Sequence, residues 1–278
     1  MFKNILIGIA IGIANIIPGV SGGTMMVIFG IFERLNEAIA NISDFKNKNI
    51  KDDVIFLLEV FIGAAIGLIA FANILNLSFE HFPTQTIFWF IGLVAFSIPV
   101  FIKKEIREGK IDYISLMIGM VMILFINDLA LVGEIDMNPE IPALSIMYLT
   151  RMLLDGIIGG FSMLLPGVSG SMILLIMGDY YLFKSLLSSV LALELRVWVS
   201  LGVMGIGIIL GILLASRIIV HLMKKHKEKT SSFLLGLVSA STIVLIPAGV
   251  AYDLQIITTS LIAFLFGGAL VLVANKLS

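Results

Sequence analysis

Two short boxes carry the residue types best suited to chemistry. The first is Asn15-Ile-Ile-Pro-Gly-Val-Ser-Gly-Gly-Thr24, and the second is Leu165-Pro-Gly-Val-Ser-Gly-Ser171; each lies inside an apolar run. Proline has no N–H, and glycine accepts backbone angles that other residues resist. Each box is therefore expected to break one helix and to start another, at Ser21 in the first copy and at Ser169 in the second. The opening N–H groups of a helix have no intrahelical partner, and the dipole adds about half a positive charge there. That combination holds phosphate or carboxylate. The candidate anion-binding residues are Pro18, Gly19, Ser21, Gly22, Gly23 and Thr24, with Pro166, Gly167, Ser169, Gly170 and Ser171 in the second copy. The glycines let an anion approach the backbone, and the hydroxyls add donors. A plainer reading has the glycines serve tight helix packing and the serines cap their own helices.

Three charged residues in apolar surroundings join this set. Arg34 follows the first box and Arg151 precedes the second. Either suits a phosphate, although Arg151 also stands four residues before Asp155, where a local ion pair is expected. Glu59 lies inside a long apolar stretch, and an intramembrane acid is costly enough to mark it as a candidate for proton coupling. The chain has no cysteine and three scattered histidines, so no cofactor and no metal site is expected. No box serine has a histidine or other base close in sequence, so a catalytic role is not expected and an enzyme such as a lipid phosphatase is the weaker reading.

These residues must be positioned inside a bilayer. Of the 278 residues, 59% are hydrophobic and 13% charged, against about 25% charged in soluble domains. The expected fold class is an all-α polytopic membrane protein forming one membrane domain. Residues 5–17 are too few to span, since a crossing needs roughly 20 apolar residues. Residues 5–38 and 149–187 are thus expected as re-entrant helical hairpins with the boxes at their tips. Spans are expected at 54–77, 86–102, 111–126, 197–220, 231–248 and 256–274.

The two halves echo each other. At an offset of 148, ten of the 23 pairs from Gly8/Gly156 to Gly30/Gly178 are identical. Further on the offset becomes 144, matching Gly67 with Gly211, Gly92-Leu93-Val94 with Gly236-Leu237-Val238, and Ser97 with Ser241. The chain reads as an internal duplication, repeat 1 over about 1–126 and repeat 2 over about 149–278. Lys and Arg concentrate in cytoplasmic loops. Placing both chain termini inside puts 14 of the 18 basic residues in cytoplasmic segments. Each repeat then has a hairpin plus three spans, an odd number of crossings, and the repeats are inverted. Broken helices meeting at the midplane between inverted repeats are the layout of an alternating-access carrier.

With the boxes in place, the chain resembles the PopT-type polyprenyl-phosphate transporters. Gly8 to Leu35, containing the first box and ending Gly30-Ile-Phe-Glu-Arg-Leu35, is similar to that family's N-terminal signature. Met163-Leu-Leu-Pro-Gly-Val-Ser-Gly-Ser171, followed by Gly178-Asp-Tyr180, is similar to its second. Asp179 departs from the pattern, where a small or apolar residue is expected. The resemblance covers essentially the whole chain. It implies a flippase in the cytoplasmic membrane of a prokaryote, whose partner is a membrane lipid. It would return undecaprenyl phosphate from the outer to the inner leaflet and recycle the lipid carrier of cell-wall synthesis. From the residues alone, a secondary transporter of a small soluble anion fits as well.

Overall fold

The computed structural model describes residues 2–15, 21–42, 50–106, 110–130 and 139–277. Among them are twelve α-helices and no strand. In the first half these are α1 (Phe2–Asn15), α2 (Gly22–Ile28), α3 (Phe32–Ile42), α4 (Ile50–His81), α5 (Pro83–Phe101) and α6 (Tyr113–Ala130). The second half has α7 (Ile146–Met163), α8 (Gly170–Met177), α9 (Tyr180–Ser188), α10 (Leu195–Lys225), α11 (Lys227–Val244) and α12 (Leu254–Leu277). At 1.5 Å per residue α1 is about 21 Å long, short of the ~30 Å hydrocarbon core. It stops at the first box, and α7 stops at the second. α7 opens on Ser145, whose hydroxyl accepts from the Tyr148 amide at 3.2 Å. Gly178, at φ 83°, closes α8 in the left-handed conformation, and α9 leaves at 111° to it.

A helix underlies each expected span, although α11 ends at Val244, short of the expected 248, and α6 starts at Tyr113, not at 111. Four are long and apolar enough to cross a membrane by themselves: α4, α5, α10 and α12. The outer faces of α4, α10 and α12 present Phe61, Ile69, Ile209 and Phe266 to the surroundings, as lipid-facing surfaces do. α11 is less apolar because it lies inside the protein. It buries Thr230, Ser231, Ser232 and Ser241, and three of these hydroxyl groups belong to serines that a lipid-facing helix would not carry. Ser241 donates to its own helix, to Val238 O at 2.8 Å.

Helix pairing rests on glycines at which no β-carbon fits. A side chain on Gly8 would run into the Val60 carbonyl, and one on Gly12 into that of Ala64. From the other side, Gly63 lies on the Ile5 carbonyl and Gly67 on that of Ile9. Each step of four along α1 matches a step of four forward along α4, so the two helices run side by side in the same direction. α7 and α10 repeat this contact for contact: Gly156 on Met204, Gly160 on Ile208, Gly207 on Leu153 and Gly211 on Ile157. The residues of α7 stand 148 positions after those of α1, and the residues of α10 stand 144 after those of α4. The remaining pairs cross between halves. Gly92 of α5 meets the Phe264 carbonyl of α12, and Gly236 of α11 meets the Leu116 carbonyl of α6. Gly267 meets Trp89, and Gly119 meets Phe233. The same offsets convert one pair into the other, now exchanged between halves.

Candidate functional site

The boxes touch. Pro18 and Gly19 lie outside the described residues. From Ser21 on, the first box is knitted to the second. Ser21 caps α2, its hydroxyl oxygen accepting from the Gly23 amide at 3.1 Å and its O–H donating to the Leu165 carbonyl at 3.2 Å. Thr24 Oγ1 accepts from the Gly167 amide at 2.9 Å. Gly167 has φ 79°, and a side chain there would meet the Leu237 carbonyl. A β-carbon on Gly23 would stand 3.0 Å from the Leu165 carbonyl carbon and from the Pro166 nitrogen. Ser21 and Thr24 are buried, so here the serine is a cap and the threonine a strut between boxes.

The second box is more open. Ser169 precedes α8 but makes no capping bond to it. Its hydroxyl lies 2.8 Å from that of Ser171, which is exposed. The first turn of α8 therefore begins with two paired hydroxyls on the surface rather than with a sealed cap. A β-carbon on Gly170 would come within 3.0 Å of Met163 Cγ and 3.1 Å of the Gly159 carbonyl oxygen. One on Gly22 would press on the side chain of Asn15, an exposed residue.

Both arginines are paired with buried acids that sequence reasoning left out of the site. Arg34 holds Asp53, whose other oxygen accepts from Asn41 Nδ2 at 2.9 Å. The Arg34 guanidinium also lies 5.0 Å above the centre of the Phe56 ring. Arg151 grips Asp179 with two bonds, Nε to Oδ2 and Nη2 to Oδ1, each 2.8 Å. The expected Arg151–Asp155 pair is corrected accordingly. The left-handed turn at Gly178 and the sharp bend into α9 bring Asp179 back to α7, where its carboxylate receives the guanidinium in bidentate fashion. Asp155 is buried one helical turn further on, with Oδ2 lacking a hydrogen-bond partner. Glu59 is half-buried and accepts from Asn4 Nδ2 at 2.7 Å. Lys3 also escaped notice, yet the sequence carried its signal: it stands 148 positions before Arg151.

Two cavities adjoin this region. One, about 510 Å³, is lined by Lys3, Asn4, Gly30, Arg34 and Phe56 near the start of α1. The other, about 240 Å³, lies between α1, α2, α5 and α12 and is lined by apolar and aromatic side chains, Trp89 among them.

Comparison with known proteins gives a consistent picture. Residues 11–271 match a family described as undecaprenyl phosphate translocase-like. The chain is 30% identical over 270 residues to the polyprenyl-phosphate transporter of Staphylococcus aureus, covering 95% of this chain and 92% of that one. It is 28% identical over 240 residues to the polyprenyl-phosphate transporter of Vibrio cholerae, covering 83% and 72%. No solved structure matches. With its paired boxes inside an all-helical, largely apolar frame, the chain belongs to the undecaprenyl phosphate translocase-like family.

Proposed function

We propose that the protein is a carrier, not an enzyme, that moves a polyprenyl phosphate, undecaprenyl phosphate in the first instance, from the outer to the inner leaflet of a prokaryotic cytoplasmic membrane. The observation that carries this is the meeting of the two boxes, Ser21 on Leu165 and Thr24 on Gly167, at the junction of two matching halves. The names of both relatives support the substrate class.

The proposed layout is a duplication of about 1–126 and 149–278, inverted across the membrane, with the hairpins re-entering from opposite faces. Same-direction packing of α1 on α4, and of α7 on α10, supports it: the chain between them must return to the side it left. Each half then makes an odd number of crossings. Under this layout both chain termini face the cytoplasm, where basic residues concentrate.

The phosphate is proposed to pass the box tips, held in turn by the two half-helix N-termini. Their residues are Pro18, Gly19, Ser21, Gly22, Gly23 and Thr24 on one side and Pro166, Gly167, Ser169, Gly170 and Ser171 on the other. The open start of α8 and the sealed start of α2 support a resting state in which only the second box is available. Arg34 and Arg151 are the proposed stations at the two hairpin bases, and Glu59 is the proposed coupling acid.

The test is purified protein in liposomes with a labelled polyprenyl phosphate and a reagent confined to one leaflet. The expected result is transfer with the phosphate intact, faster with an imposed pH gradient. Glu59→Gln is expected to lose the gradient response, and correctly folded Gly170→Val to lose transfer. Hydrolysis of the phosphate would make the protein an enzyme. Wild-type transfer by folded Gly170→Val would reduce the boxes to hinges, and an unchanged gradient response in Glu59→Gln would remove that acid from coupling.

A further inference from the structure

The two cavities follow one another along α1, and Phe29 lines both. Lys3, Asn4 and Ile7 face the first, and Ala10 and Ile13 face the second. At 1.5 Å per residue these two groups of α1 residues are about 10 Å apart along the helix axis. No acidic residue lines the first cavity. Asp53 and Glu59 are bonded to two of its lining residues, Arg34 and Asn4 respectively. Arg34 has five N–H donors, and its side chain remains 42% exposed with Asp53 in place, so donors are left for a second anion. The inner chamber has walls from Ala10, Ile13, Met25, Leu93 and Val271 besides its two aromatic residues. An apolar cavity of about 150 Å³ already accepts benzene. One of about 240 Å³ therefore has room for a branched five-carbon unit.

We infer that these cavities form one amphipathic site: a phosphate monoester sits against Lys3 and Arg34, and the second isoprene of its prenyl chain lies beyond Phe29, against Trp89. The inference rests on the proposed lipid substrate and adds where the chain goes. The site belongs to the first half. At the equivalent places in the second half, Leu182 stands for Arg34 and Arg151 for Lys3, so one of the two cations is missing. Under the proposed topology this is the inner-leaflet station, where the lipid arrives after crossing.

The chain has two tryptophans, so Trp198→Phe leaves Trp89 as the single reporter. The probe is a four-isoprene prenyl phosphate brominated on the second unit from the phosphate, titrated onto the detergent-purified protein. Saturable quenching of Trp89 is expected, competed by the unbrominated lipid but not by inorganic phosphate or the prenyl alcohol at equal concentration. Adding Ala10→Leu, which fills the chamber and leaves the cationic pocket alone, is expected to weaken binding at least about tenfold, or 1.4 kcal/mol. If the probe binds, by native mass spectrometry, without quenching Trp89, the chain lies elsewhere and the inference is overturned, while transfer in liposomes still stands. If inorganic phosphate competes as well as the prenyl phosphate, the pocket is a soluble-anion site and the inference fails too. If wild-type protein transfers no polyprenyl phosphate in liposomes, it is the proposed function that has failed.

Discussion

Arg151 and Asp179 show how a residue's partner can be misjudged from spacing alone. Asp155 stands at the favourable helical distance from Arg151, but the guanidinium turns to Asp179, 28 residues on, because the chain doubles back at Gly178. No local pattern announces such a bend, although the glycine that makes it was visible as the partner of Gly30. Asp179 is buried, and Asp155 lies buried nearby. Arg151→Gln therefore strands a carboxylate beside another. Breaking a buried pair costs about 3–5 kcal/mol, and the half-exposed guanidinium reduces this to about 1–3 kcal/mol. Thermal unfolding in detergent should show that loss, and Arg151→Gln with Asp179→Asn together should recover part of it. A double variant no better than the single one would mean that the pair does not govern hairpin stability. The boxes were legible as sites of broken helix, since proline and glycine act locally. Their mutual hydrogen bonds were not, because Thr24 and Gly167 are 143 residues apart.

At the scale of the element, all the expected helices were legible from apolar run length, and their pairing was only partly so. The 144-residue offset linking Gly67 to Gly211 and Gly92 to Gly236 was readable in sequence. The return to 148 for α6 and α12 was not, because one glycine pair, Gly119 with Gly267, is too little to stand out from chance. The geometry supplies it by placing both against equivalent carbonyls. Gly12→Ala and Gly160→Ala should each force a helix pair apart, with a loss of about 1–3 kcal/mol from overpacking, and to a similar extent in the two halves. Gly202→Ala, with nothing within 4 Å of its added carbon, should be neutral or gain up to about 1 kcal/mol from reduced chain entropy. Melting temperatures of the three variants in one detergent test this. A Gly12 variant as stable as the Gly202 variant would contradict the tight pairing of α1 and α4.

Taken whole, the molecule makes a prediction about sidedness. The inverted arrangement requires tags in 103–110 and 224–229 to be cytoplasmic, and those in 78–84 and 249–255 to be external. An external tag at 224–229, read by impermeant labelling of intact cells, would refute it. The inversion is proposed from the charge asymmetry between partner loops, whereas the exchange of α5 and α6 for α12 and α11 could not be read from sequence, because sequence offsets do not say which copies touch. The exchange has a consequence for how the protein is made. Domains generally fold from the N-terminus as they are synthesised, and here the first half cannot finish on that schedule. When α5 and α6 leave the ribosome, the carbonyl ridge of Trp89 and the notch at Gly119 have nothing to fit them; their complements, Gly267 and Phe233, lie in the last two helices. Assembly waits on the final segment of the chain. During that wait the unfinished half presents to the insertion machinery, or to another nascent copy, the surface that its own C-terminal helices will later cover.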